Sequence, residues 1–99
     1  MISKFSSWIE SNKLNLQDLG IISEKIIKSS NNLNPSITIH QTTDDCLGQI
    51  SVWESGLVDM EVISISDGRK LLYEHQEISN EPNFDEILFG YIRIMTEEK

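Results

Sequence analysis

The chain holds few side chains able to do covalent or acid–base chemistry, and their spacing does not gather them. Its two histidines, His40 and His75, lie far apart and in no HExxH-like pattern, so no zinc site is expected. In Tyr73-Glu74-His75 the imidazole reads as a partly buried hydrogen-bonding group. An enzyme would need Glu74 and His75 in a cleft that shifts their proton affinities. Cys46 is the single cysteine and follows Asp44 and Asp45. Their negative charge disfavours a thiolate, the opposite of what a nucleophile requires. The Asp44-Asp45 pair itself suits a solvated turn better than a catalytic dyad. Gly48 and Gly90 stand alone, so no glycine-rich loop is present to cradle phosphate. Gly90, within the last helical pattern, is expected to permit close packing. No catalytic residue, metal or cofactor follows from these residues.

What remains is a surface for binding, and composition narrows its partners. Eight Lys and Arg against 16 Asp and Glu leave a net charge of −8. Nucleic acids and anionic membranes are bound through basic patches, so neither is an expected direct partner. The 99 residues, 38% of them hydrophobic, suffice for one domain, spanning 1–99, with one modest core. No apolar run approaches the roughly 20 residues of a membrane span. Met1 to Trp8 lacks the apolar stretch of a signal peptide. A lone cysteine makes no internal disulfide, which points to a reducing cytoplasm. A monomer or a weak homodimer is expected.

The elements follow from periodicity. Phe5, Trp8 and Ile9, continued by Leu16 and Leu19, mark a helix capped by Ser3 and ended by Gly20, with a break possible near residue 13 at Asn12 and Asn15. Residues 21–28 fit either a helix or a strand; β-branched content favours a strand. Ser29 to Pro35 reads as a surface loop. Alternation then predicts strands around Ile37–Ile39, Cys46–Trp53, Val58–Val62 and Leu71–Gln76. Asn83, with Glu86 three residues later, forms a capping box. It opens a helix whose apolar face is Phe84, Ile87, Leu88, Tyr91, Ile92 and Met95. Glu97 to Lys99 reads as a frayed tail. The expected fold is α+β: a two-layer, antiparallel four- to five-stranded meander sheet with N- and C-terminal helices packed on one face. The other face is free to meet solvent or a partner.

Register decides which residues occupy that free face. Ile50, Val52, Val58 and Met60 must share the covered face. A three-residue loop, Glu54-Ser55-Gly56, achieves this, pairs Ser51 with Asp59, and places Gly56 where a left-handed residue is favoured. A two-residue turn at Asp67-Gly68 sets Met60 opposite His75, Val62 opposite Tyr73, and Glu61 opposite Glu74. A three-residue turn there would exchange the faces of Tyr73 and Glu74. With the two-residue turn, the free face carries Gln49, Ser51, Trp53, Asp59, Glu61, Glu74 and Gln76, with Glu54 at its rim. Trp53 would anchor a basic protein while the carboxylates steer and pair with it. An ordinary solvated acidic face gives the same pattern without any partner.

Four stretches together carry a family resemblance: Leu47 to Gly56, Asp59 to Ile63, Tyr73-Glu74-His75, and Asn83 to Leu88. With Lys4-Phe5 and Trp8-Ile9, the chain resembles the TriTu family of bacterial immunity proteins. Tyr73 stands where that family frequently has a second tryptophan. The resemblance implies a non-catalytic protector of a polymorphic-toxin or contact-dependent system. Such a protein binds a cognate toxin in the producing cell's cytoplasm; a basic nuclease toxin would suit this acidic chain. An alternative of another class is a small acidic secretion chaperone, which would need a dimer interface and apolar grooves for an effector segment.

Overall fold

The computed structural model describes residues 1–29 and 33–97. Residues 30–32 of the loop expected from Ser29 to Pro35, and the last two residues of the expected tail, therefore lie outside the described residues. The chain order is α1 (Ile2–Asp18), β1 (Ile22–Ser29), β2 (Ser36–Thr42), β3 (Cys46–Trp53), β4 (Leu57–Ser64), β5 (Lys70–Glu77), α2 (Phe84–Ile87) and α3 (Phe89–Glu97). The five strands form one antiparallel sheet in sequence order. The α+β meander is thus as expected, with residues 22–29 as its first strand.

The N-terminal helix is continuous through residue 13. Asn12 stays in the helix with its side-chain amide donating to the Trp8 carbonyl at 2.9 Å. The N-cap is Met1, not Ser3, which lies within the helix. The C-terminus closes as a Schellman motif. Gly20, at φ 88°, donates to Gln17, and Ile21 donates to Leu16, each at 2.9 Å. Ile21 is buried beside Leu16, so the cap also starts the core. Leu19 does not continue the stripe; it is exposed.

The C-terminal helix is split. Asn83 caps it as expected, its side chain accepting from the Glu86 backbone N–H at 3.2 Å. The chain then leaves helical geometry at Leu88 before α3 begins. The break sends Phe84, Leu88, Tyr91 and Met95 into the core and leaves Phe89 exposed.

Both helical layers cover one sheet face. Ile37, Ile39, Ile50, Val52, Val58, Met60 and Val62 point there and are buried with Phe5, Ile9 and the helical residues just named. Each such large side chain contributes about 1.5–3 kcal/mol when fully buried. Phe5 and Phe84 pack at 5.4 Å between ring centroids, and the Trp8 indole N–H donates to Asp85 at 2.8 Å, joining α1 to α2.

The closest approach is at Gly48 in β3. A Cβ there would lie 2.2 Å from the Tyr91 hydroxyl and 2.8 Å from the Met95 sulfur. Gly90, by contrast, meets nothing within 4 Å, so the glycine that lets α3 pack closely is Gly48 and not Gly90 as expected. Tyr91 cannot move aside freely, because its hydroxyl donates to Gln41 at 2.8 Å, and the Gln41 amide donates to Ser23 at 3.2 Å. This chain of bonds ties α3 to β2 and β1; its Tyr91–Gln41 link is buried, and burial pushes the Tyr91 phenol pKa up, so it remains a donor. Replacing Gly48 with Ala should cost about 1–3 kcal/mol by overpacking. Urea unfolding followed by circular dichroism will show it as a lower midpoint with an unchanged slope. An unchanged midpoint would mean that the helix does not press on the strand there.

Candidate functional site

The helix-free face is built by cross-strand rows. From the ladder partners, one row across the sheet reads Lys25, His40, Gln49, Glu61, Tyr73. The next reads Ile27, Thr38, Ser51, Asp59, His75, and the one beyond it Ser29, Ser36, Trp53, Leu57 and Glu77, with Trp53 ending β3. The register of the β3–β4 hairpin is the expected one, with Val52 opposite Val58 and Ser51 opposite Asp59. Gly56 takes the left-handed position at φ 102°. Gln49, Ser51, Trp53, Asp59 and Glu61 therefore share the free face, and Trp53 is half-buried among its neighbours on the side away from the helices.

The β4–β5 register differs from the expected one. The connection is not a two-residue turn at Asp67-Gly68. Ser64 and Arg69 close a four-residue loop, in which the Gly68 N–H reaches the Ser64 carbonyl at 2.8 Å and the Arg69 N–H reaches the Asp67 carboxylate at 2.9 Å. A bulge between Val62 and Ile63 then shifts the pairing by one residue. Met60 faces Glu74, Val58 faces Gln76, Glu61 faces Tyr73 and Asp59 faces His75. A one-residue slip turns every side chain over. Glu74 and Gln76 accordingly leave the free face. They line a groove of about 560 Å³ on the helix side, together with Glu81, Glu86 and Phe89. Tyr73 and His75 take their places. His75 is exposed, not partly buried as the sequence suggested.

Glu54 also serves elsewhere. From the β3–β4 turn its carboxylate accepts from the Met1 amino group at 2.8 Å and from the Ile2 N–H at 3.1 Å. It thus satisfies an open donor at the start of α1, a position where negative charge is favoured. These bonds, the one from the Met1 ammonium first, hold its pKa below the ordinary 4.5. Ser51, although on the free face, is 5% exposed, with its hydroxyl bonded to Thr38 at 2.7 Å. It shapes the face from beneath and presents little to a partner.

The remaining charges on this face are largely answered in place. Glu61 pairs with Lys70 at 3.2 Å, Lys70 also lies 5.2 Å over the Tyr73 ring, and Asp59 contacts the His75 Nδ1. Lys25 stands at the β1 side of the face. The platform is therefore aromatic and mixed in charge. Much of the acidic excess sits on turns, helices and rims, at Asp44, Asp45, Glu81, Asp85 and Glu86 among others. Among the described residues, no three His, Cys, Asp or Glu side chains gather as metal ligands, and none of the described helices is long and apolar enough to cross a membrane.

A family profile described as Immunity protein TriTu matches residues 3–94. The chain belongs to that immunity-protein family. No curated protein matches it. Tyr73 and His75 are the surface residues that periodicity misassigned. Alternation offers Leu71 or Leu72 equally as the inward residue of β5, and the structure chooses by half-burying Leu72 on the helix side opposite Val62.

The Glu54 contact sets a pH dependence. A carboxylate with a depressed folded pKa stabilises the fold above its unfolded value, and that contribution is lost as pH falls through the folded value. Wild-type protein should therefore lose stability on acidification from 4.5 downward more steeply than the Glu54→Gln variant. Thermal melts across that range measure it, and parallel curves for the two proteins would refute the role given to Glu54.

Proposed function

We propose that the protein neutralises a cognate bacterial toxin domain by stoichiometric binding through the helix-free sheet face. The observation that carries this reading is the half-buried Trp53 turned away from both helical layers, in a face that also carries Tyr73 and His75 on β5. Large aromatic groups at the centre of a water-excluding patch supply most of the energy of many interfaces. Asp59 lies one row from Trp53 and Gln49 and Glu61 two rows from it on the same face, where they offer polar contacts to a partner, and a partner arginine can replace Lys70 on Glu61. Ser51 belongs to the support beneath, while Glu54, Glu74 and Gln76 lie off this surface.

The partner of this reading is a basic protein, for which a nuclease with a positively charged substrate groove is the natural case. The net charge of −8 acts at a distance, speeding encounter with such a partner, while the local face fixes orientation. The complex would form in the cytoplasm of the cell that makes the toxin, in a polymorphic-toxin or contact-dependent system. Inhibition needs no chemistry by this chain.

The test pairs this protein with the toxin domain encoded beside it. Trp53→Ala should weaken binding by on the order of 2 kcal/mol in calorimetry while leaving the circular dichroism spectrum unchanged. Glu61→Lys should mainly slow association and flatten its salt dependence. Glu74→Gln, on the other side of the sheet, should bind as the wild type does. Full affinity in Trp53→Ala, or loss of affinity in Glu74→Gln alone, would move the interface to the groove beside β5. A neighbouring toxin that is neither bound nor inhibited would end the proposal.

A further inference from the structure

The first strand is an unpaired sheet edge of unusual composition. All eight residues of β1 are exposed, and Ile22, Ile26 and Ile27 place apolar surface on both sides of it. The hydrogen-bond phase of this edge can be worked out. In β2 the odd-numbered positions bond to β3, as the flanking bonds of Pro35 to Glu54 and of Thr43 to Cys46 show. Its even-numbered positions therefore bond to β1. Thr38 faces Ile27 and His40 faces Lys25, so Ile27 and Lys25 turn their backbone groups inward. Ile26 and Lys28 turn theirs outward, to an edge that no described strand occupies.

We propose that this edge pairs with the same edge of a second copy, giving a two-fold dimer with a continuous ten-stranded sheet. A symmetric antiparallel pairing must place outward residues opposite outward residues, which leaves few registers. Centring on Lys25 or on Lys28 sets like charges against each other, which is destabilising. Centring on Ile26 sets Ile26 against its own copy and Glu24 against Lys28 on both flanks. Lys25 then lies beside the copy's Ile27. This register alone joins an apolar centre to two opposite-charge pairs. The bulge between Ser23 and Lys25 lies at the end of the paired segment and limits it to a few residues.

A second feature opens on the same edge. Between α1 and the sheet lies a cleft of about 180 Å³ lined by Phe5, Ile9, Ile26, Ile37 and Ile39, with Lys28 at its mouth. The copy's Ile26, on the same side of the sheet, approaches this mouth and covers it. About six backbone hydrogen bonds and a small apolar contact make a weak dimer, at the low end of interface size.

Sedimentation equilibrium of the full chain over a wide concentration range tests this directly. The wild type should approach dimer mass at the highest concentrations. Lys28→Glu should raise the dissociation constant about tenfold or more, because it opposes Glu24 with a like charge. The double exchange Glu24→Lys with Lys28→Glu should restore it. Ile26→Pro removes an outward donor without touching the β1–β2 ladder, so it should abolish the dimer and leave the circular dichroism spectrum intact. If Ile26→Pro unfolds the chain, the charge exchange still decides. A wild type monomeric throughout, or a dimer indifferent to the charge changes, overturns the proposal.

Discussion

The structure depends on one close contact, the seat of α3 on β3 where Gly48 lacks a side chain. Tyr91 and Met95 lie in the space a Cβ would fill, and the Tyr91 hydroxyl reaches across to Gln41 and through it to Ser23. A buried polar group is costly unless it is bonded, so this network admits one seating of the helix. That seating orients the C-terminal segment, and the break at Leu88 lets Phe84 turn down onto Phe5. Trp8 and Asp85 then join the two helical layers. Everything apolar and bulky is drawn to one side of the sheet.

The opposite face is free as a consequence. Among the described residues no further element covers it. Its chemistry is not that of an acidic plate. The β4–β5 bulge brings Tyr73 and His75 to the surface and sends Glu74 and Gln76 to the helix side, so carboxylates and cations on the face meet as neighbours. The charge of the protein is carried by its rims and turns, where it acts over distance, and the face supplies shape and aromatic surface. Glu54 illustrates the division, since a carboxylate that looks like part of a binding rim instead caps a helix.

Membership of the TriTu immunity-protein family fits a chain built to hold a surface rigid. The hairpin that carries Trp53 is clamped at one end by the Glu54 contact to α1 and at the other by the Cys46 turn, where Thr43 accepts from the Cys46 N–H at 3.0 Å. A partner meeting this hairpin would find little to reorganise, which keeps the ordering cost of binding low.

Local rules determined a great deal here from sequence alone. Period-two alternation identified strands β2 to β5, and the Gly56 turn agreed with the buried parity of Ile50, Val52, Val58 and Met60 in setting the central register. The Asn83 cap and the Gly20 terminus were likewise legible, because each is settled by a few adjacent residues. The tertiary structure decided what depends on contacts distant in the chain. Asp67-Gly68 looks like a hairpin turn, yet the loop closes two residues wider and a bulge resets the register, so Glu74 and Tyr73 trade faces. The polar and apolar alternatives on β5 are nearly balanced in pattern, and only packing of Leu72 beneath the helices breaks the tie. Gly48 and Gly90 look alike in sequence, and Glu54 looks like its acidic neighbours. Which glycine a helix presses on, and which carboxylate finds an amino group more than 50 positions away, is settled by the folded geometry alone.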